Sequence, residues 1–291
     1  MKALKRHWWK WGLALLLILI AAITWLLRPY QPESEALAAM QSTGEVQVSE
    51  DAQALYFEPK SPVQPSMIYY PGGLVKPASY APYAAELAKA GHRVYIVKMP
   101  LNLAIFGSDR ALPIITAKHP DETFLIGGHS LGGVMAARFA AAHAAEFAGV
   151  FFLASYPDPK GSLVSANLPV ISLVGSRDGA VNMDALTEAK LYLPSTTEYH
   201  TLQGGNHSQF GSYGLQNGDL PAEMTPEQQR DETIKLLLDW IKASVQPAKT
   251  GTLKGLFSSH SDLETAPVCL SGLRLSALHK QLNGFFDHFV R

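Results

Sequence analysis

Short apolar runs alternate with amphipathic stretches over most of this chain, and that alternation constrains the fold more than any other feature. The runs "SMIYY" (66–70), "HRVYIVKM" (92–99), "TFLIGG" (123–128), "GVFFLAS" (149–155) and "PVISLVGS" (169–176) have the length and β-branched or aromatic content of buried strands. Between them lie helical stretches: "SYAPYAAELAKAG", closed by Gly91, an Ala-rich run over 130–145, and one from about Asp184 to Tyr192. "SDRALPIITAKHP" reads as helical or irregular. "EVQVS" and "ALYFEP" form a starting pair of strands, "TEYHTL" a further strand, and 225–243 a last helix. A strand returning parallel to its predecessor needs a crossover, and the crossover helix covers a face of the sheet. The predicted class is therefore α/β, with a mostly parallel sheet, helices on both faces, and one domain over 45–246.

Composition narrows the function classes. Of 291 residues, 47% are hydrophobic and 17% charged, enough for a sizeable core, and the net charge of −1 gives no electrostatic footprint for nucleic acid. The single cysteine, Cys269, excludes an intrachain disulfide. No HExxH, CxxC or clustered acid and histidine spacing is present, so neither a metal nor a cofactor is expected.

The N-terminus has its own character. Lys2, Lys5, Arg6 and Lys10 precede a run without charges from Trp11 to Leu27, about 25 Å of helix. Trp8, Trp9 and Trp11 at one end, with Trp25 and Tyr30 at the other, resemble an interfacial belt. The expectation is a single-pass membrane anchor over 1–30, with its N-terminus cytoplasmic and the rest of the chain extracytoplasmic. A cleaved signal, with Ala36-Leu37-Ala38 as its distant site, and a buried core helix are the alternatives. Residues 31–44 read as a polar linker. Residues 247–291 break the alternation. There Leu275, Leu278, Leu282 and Phe285 fall near helical spacing, which fits a docking helix, a loose tail or a foreign extension.

Chemistry concentrates after the strand "TFLIGG". Gly128-His129-Ser130-Leu131-Gly132 is a G-x-S-x-G between a buried strand and a helix, the setting in which a serine is presented on a tight turn. The pentapeptide alone is a weak signal, since serine is also a common helix N-cap. Context strengthens it. A serine hydroxyl needs a base, and the base an orienting acid. Asp178 lies just past "PVISLVGS", and His207 lies in the loop after "TEYHTL". Three residues of the right types, in the order Ser, Asp, His, each just past a strand end, form a candidate triad. An oxyanion needs two N–H donors: Leu131 supplies one, and the "PGGLV" turn the other, through Gly73 with Leu74 as fallback.

These segments resemble the α/β-hydrolase superfamily over about residues 46–245. GHSLGG, GSRDG and GGNH match its nucleophile, acid and histidine segments. Together with "PGG" and "GNHSQFGSYGLQNGD" they are similar to the small bacterial enzymes grouped with dienelactone hydrolases. The resemblance implies a Ser130–His207–Asp178 triad and an acyl-enzyme. Dienelactone hydrolases carry a cysteine in the elbow, so their lactone substrate does not carry over.

Other candidates are set aside. Asp158 follows an earlier strand and Asp184 starts a helix, while Asp219 fits a support for the histidine loop. His129 points away from its serine neighbour, and His200 sits within a strand. The loop "YPDPKGSLVSANL" is too short for a lid, so the site should be open, lined by Leu74, Leu103, Phe106, Phe210 and Tyr213. The function expected is a serine hydrolase cleaving carboxyl esters, a lipid-like ester included. Acyl transfer on the same triad, or a non-catalytic binding protein on this fold, are the alternatives.

Overall fold

A computed structural model describes residues 8–117 and 122–245. The possible docking helix in the tail over 247–291 lies outside the described residues. Eight strands form one sheet: β1 (Val46–Glu50), β2 (Ala54–Pro59), β3 (Val63–Tyr70), β4 (His92–Val97), β5 (Phe124–His129), β6 (Phe147–Leu153), β7 (Val170–Gly175) and β8 (Glu198–Leu202), in the order 1-2-4-3-5-6-7-8. β1 and β2 form an antiparallel hairpin, and β2 pairs antiparallel with β4. The remaining neighbours are parallel. The carboxyl ends of β3, β5, β7 and β8 therefore share one edge, where an open α/β sheet gathers its ligands.

Alternation along each strand builds two cores. Met67 and Tyr69 of β3, with Phe151 of β6 and Ile171 of β7, pack against one pair of helices: α3 (Ala81–Lys89) through Tyr83 and Leu87, and α7 (Pro226–Ser244) through Leu237 and Trp240. Ile68 and Tyr70, with Ile126 and Phe152, face the other way onto α5 (Leu131–Ala142) through Val134, Met135 and Phe139. The central strands are thus apolar on both faces, which is why they read as unbroken apolar runs. The stretch expected as helical or irregular contains the short helix α4 (Leu112–Thr116), and α6 (Met183–Glu188) lies between β7 and β8.

The N-terminal expectation requires correction. Trp8–Leu26 form a helix, α1, but no helix among the described residues is long and apolar enough to cross a membrane. Lys10 lies inside α1, and from Trp11 to its end the helix rises only about 24 Å, short of a hydrocarbon core of about 30 Å. The single-pass anchor over 1–30, and the extracytoplasmic placement that depended on it, are not supported.

After α1 the chain packs onto the domain. Tyr30 makes a parallel bridge with Val75, its N–H donating to Leu74 O at 2.7 Å. A short helix, α2 (Ser34–Ala39), buries Ala36 completely, and Glu33 N–H donates to Ser212 O at 3.0 Å.

Candidate active site

Ser130 occupies the sharp turn between β5 and α5 with φ 51° and ψ −126°. A non-glycine residue at positive φ is costly, on the order of 1–3 kcal/mol, and persists only where the surroundings over-determine it. Here they do. Ser130 N–H donates to Leu153 O of β6 at 3.0 Å, and the hydroxyl of Ser155 donates to Ser130 O at 2.6 Å. The glycines on either side are required by close approach. A Cβ at Gly128 would lie 2.3 Å from Tyr70 O, and one at Gly132 would lie 2.1 Å from the same atom. The turn can press α5 against the end of β3 only because both side chains are absent.

Asp178 and His207 reach this edge from the loops after β7 and β8. His207 Nδ1 lies 2.9 Å from Asp178 Oδ2, and both side chains are almost completely buried. Asp178 Oδ1 accepts the N–H groups of Ala180 at 3.0 Å and Val181 at 2.7 Å, which fixes the carboxylate plane. A carboxylate only accepts, so Nδ1 carries the imidazole proton and Nε2 presents a lone pair. Among the described residues Nε2 has no hydrogen-bond partner, although it is buried.

Supports not readable from motif spacing hold the two loops. Asp219 accepts from both: from Gly179 N–H at 3.0 Å and from Ser208 N–H at 2.8 Å. Gln229, fully buried on α7, donates to Asn206 O at 2.8 Å and accepts Asn206 N–H at 2.9 Å, like a missing strand. Gly175 is bare because a Cβ there would meet Gly205 O at 2.3 Å. Asp219 was foreseeable as a support; Gln229 left only the trace of a polar residue on an otherwise amphipathic helix.

In the "PGGLV" turn, three successive N–H groups have different fates. Gly72 donates to the hydroxyl of Tyr80 at 2.9 Å, and Leu74 to Asn102 O at 2.8 Å, so the fallback donor is occupied. For Gly73 and for Leu131, no N–H partner is found among the described residues. The two residues adjoin, since a Cβ on Gly73 would stand 3.1 Å from Leu131 Cδ2.

The expected lining residues divide. Phe106 is exposed, Leu74 and Leu103 are half-buried, and Leu103 Cδ2 comes within 3.7 Å of the Cβ position of Gly73. Phe210 and Tyr213 instead lie in the core, their rings 6.0 and 6.3 Å from that of His129. Asp158 is committed to Arg138 and to the N–H of Gly161, and His200 lies on the partly exposed face of β8 beside Glu198. Among the described residues no group of three or more His, Cys, Asp or Glu could hold a metal ion. A surface cavity of about 540 Å³, lined by Val164, Leu191, Pro194 and Tyr199, lies by the opposite ends of β7 and β8 from Asp178 and His207.

A sequence model described as the Alpha/beta hydrolase family matches residues 66–231, more than half of the chain and all four segments of this site. The chain belongs to the alpha/beta hydrolase family. Solved structures agree on the fold of this hydrolase. A predicted CIB-like hydrolase from Thermoplasma acidophilum superposes with a TM-score of 0.50 at 16% identity, covering 67% of this chain and 99% of that one. A bacterial heroin esterase gives 0.51 at 14% identity, covering 73% and 88%. A dienelactone hydrolase from Anabaena variabilis gives 0.50 at 14%, covering 69% and 100%. Comparison of the hydrolase with curated proteins gives no match.

Proposed function

We propose that this hydrolase cleaves carboxyl esters through an acyl-enzyme on Ser130. The observation that carries the reading is the buried 2.9 Å contact of Asp178 with His207 Nδ1, which leaves Nε2 unpartnered at the sheet edge where Ser130 is strained into its turn. Ser130 Oγ attacks the ester carbonyl carbon while His207 Nε2 takes its proton. The negative charge that develops on the carbonyl oxygen is met by the N–H groups of Leu131 and Gly73. Leu131 is the first residue of α5, so the helix N-terminus adds its dipole there. Collapse of the tetrahedral intermediate passes the proton from His207 to the leaving alcohol. Water then enters by the reverse sequence, losing a proton to His207 and releasing the acid.

The exposed Phe106 and half-buried Leu103 beside Gly73 offer an apolar wall to the acyl group. That favours simple acyl esters over highly charged ones.

Fluorophosphonate labelling tests the nucleophile. Wild-type protein should label and hydrolyse p-nitrophenyl esters, and Ser130→Ala should do neither. Folded wild type that neither labels nor turns over a series of chain lengths would favour a binding protein on this fold.

A further inference from the structure

His129 is an ionisable side chain at this edge that the proposed mechanism leaves without a task. It is completely buried, and its Nε2 has no hydrogen-bond partner among the described residues. Its ring centroid lies 4.5 Å from that of His207. Its Nδ1 lies 2.9 Å from the hydroxyl of Tyr80, which also accepts the N–H of Gly72 at 2.9 Å. Resting on the triad reading above, we propose that Tyr80 and His129 form a buried positioning relay. It ties the Gly72–Gly73 turn to the Ser130 elbow and so fixes the spacing of the two oxyanion donors.

Donor counting sets the direction of the relay. The Tyr80 oxygen already accepts from Gly72, so its single proton goes to His129 Nδ1, and His129 is the neutral Nε2–H tautomer. A protonated His129 would carry a proton on Nδ1 and leave the Tyr80 proton without an acceptor. Burial, and next the neighbouring His207, hold the His129 pKa well below the usual histidine value, in keeping with that assignment. The relay also explains Gly72. A Cβ there would meet His129 Nδ1 at 2.8 Å and Tyr80 Oη at 2.9 Å.

The link to chemistry is short. His129 precedes Ser130 and Leu131 in the chain, and Gly72 precedes Gly73. One hydrogen-bonded pair of side chains therefore joins the two backbone segments that present the oxyanion donors. Without the Tyr80 hydroxyl, the buried N–H of Gly72 has no acceptor, and the turn gains freedom to pivot about the strand end. Displacements near 1 Å in such a site reduce turnover by as much as about 100-fold.

The test uses the full chain, p-nitrophenyl butyrate as substrate, and phenylboronic acid, whose boron adds to a serine oxygen to mimic the tetrahedral intermediate. Tyr80→Phe should lower kcat about 10- to 100-fold with KM changed less than about 2-fold. It should weaken boronate inhibition by a similar factor. His129→Asn, whose Oδ1 can accept the Tyr80 proton near the Nδ1 position, should keep kcat within about 5-fold, and His129→Leu should fall with Tyr80→Phe. If Tyr80→Phe does not fold, the Asn and Leu variants at 129 decide. The relay is overturned if Tyr80→Phe keeps kcat and boronate affinity while Ser130→Ala is inactive, or if His129→Asn and His129→Leu are equally impaired. Turnover surviving in Ser130→Ala would instead overturn the triad reading beneath it.

Discussion

Asp219 and Ser208 are joined twice: Oδ2 of the carboxylate accepts the N–H of Ser208 at 2.8 Å and its hydroxyl at 2.5 Å. The other oxygen accepts the N–H of Gly179 at 3.0 Å and that of His207 at 3.4 Å. Since Gly179 follows Asp178 and Ser208 follows His207, a single buried carboxylate sets the distance between the Asp178 and His207 loops without touching either side chain. Asp219→Ala should leave several buried donors without acceptors, costing about 2–4 kcal/mol of stability. Turnover should fall even well below the melting midpoint, because the His207–Asp178 contact loosens. Denaturant titration and steady-state kinetics check this; unchanged kcat in a destabilised variant would reduce Asp219 to a stability role.

Asp178→Asn should abolish turnover for a reason specific to its surroundings. Oδ1 is held by the N–H groups of Ala180 and Val181, so the amide oxygen of an asparagine takes that place and its NH2 group faces His207. Nδ1 then becomes the acceptor and Nε2 holds the proton, the wrong tautomer for a base. A fall in kcat on the order of 10⁴, with an unchanged melting midpoint, is the expected result. A loss of less than about tenfold would argue that the acid is elsewhere.

Acid stability should carry the mark of two histidines. His129 and His92 are both buried, and both have pKa values held below the usual 6.5, by burial first in each case. At His129 the neighbouring His207 lowers it further through its charge and partly opposes the shift through its backbone; at His92 the bond to Pro65 O opposes it. The unfolded chain takes up protons on these imidazoles below about pH 6.5, and the folded chain does so only at lower pH. Stability therefore rises with pH through that interval and is lost as pH falls towards the folded values. Above 6.5 both are neutral in either state, and their contribution is flat. Urea midpoints measured from pH 8 to pH 5 should show a decline beginning near 6.5, and His129→Asn should make it shallower. An equally steep decline in that variant would remove His129 from the account.

How much of this was legible in the sequence depends on the range of each interaction. The β5–elbow–α5 unit could be read because its determinants are adjacent: the strand, Gly128, Ser130, Gly132 and an Ala-rich helix. The central strands could be read because the apolar runs of β3, β5, β6 and β7 are buried on both faces. What escaped were side-chain partners far apart in the chain. Tyr80 meets His129 across 49 positions and Gln229 meets Asn206 across 23, with no periodicity to announce either. Phe210 and Tyr213 sit in a glycine-rich loop, where aromatics suggest an exposed lining, yet both turn into the core around His129. Hydropathy marked α1 clearly. Its span, however, depended on the inclusion of Lys10 and on where the helix ended, which hydropathy alone does not fix.

Tyr30 makes the segment after α1 part of the site's support. Its backbone pairs with the proposed oxyanion turn, Tyr30 N–H to Leu74 O at 2.7 Å and Lys76 N–H to Tyr30 O at 3.2 Å. Its hydroxyl accepts Asn217 N–H at 3.2 Å, and its ring lies 5.5 Å from that of Tyr213, both in the loop that follows His207. One residue outside the family-matched region therefore braces both the proposed oxyanion turn and the histidine loop. A chain beginning at Pro29 should retain the melting midpoint and kcat of the full chain. One beginning at Thr43 loses Tyr30, the buried Ala36 and the ion pair of Glu35 with Arg230. It should melt several degrees lower and turn over at least about tenfold more slowly, with Tyr30→Ala accounting for most of the kinetic loss. Equal kcat in the two truncations would show that the brace steadies the fold and leaves the chemistry alone.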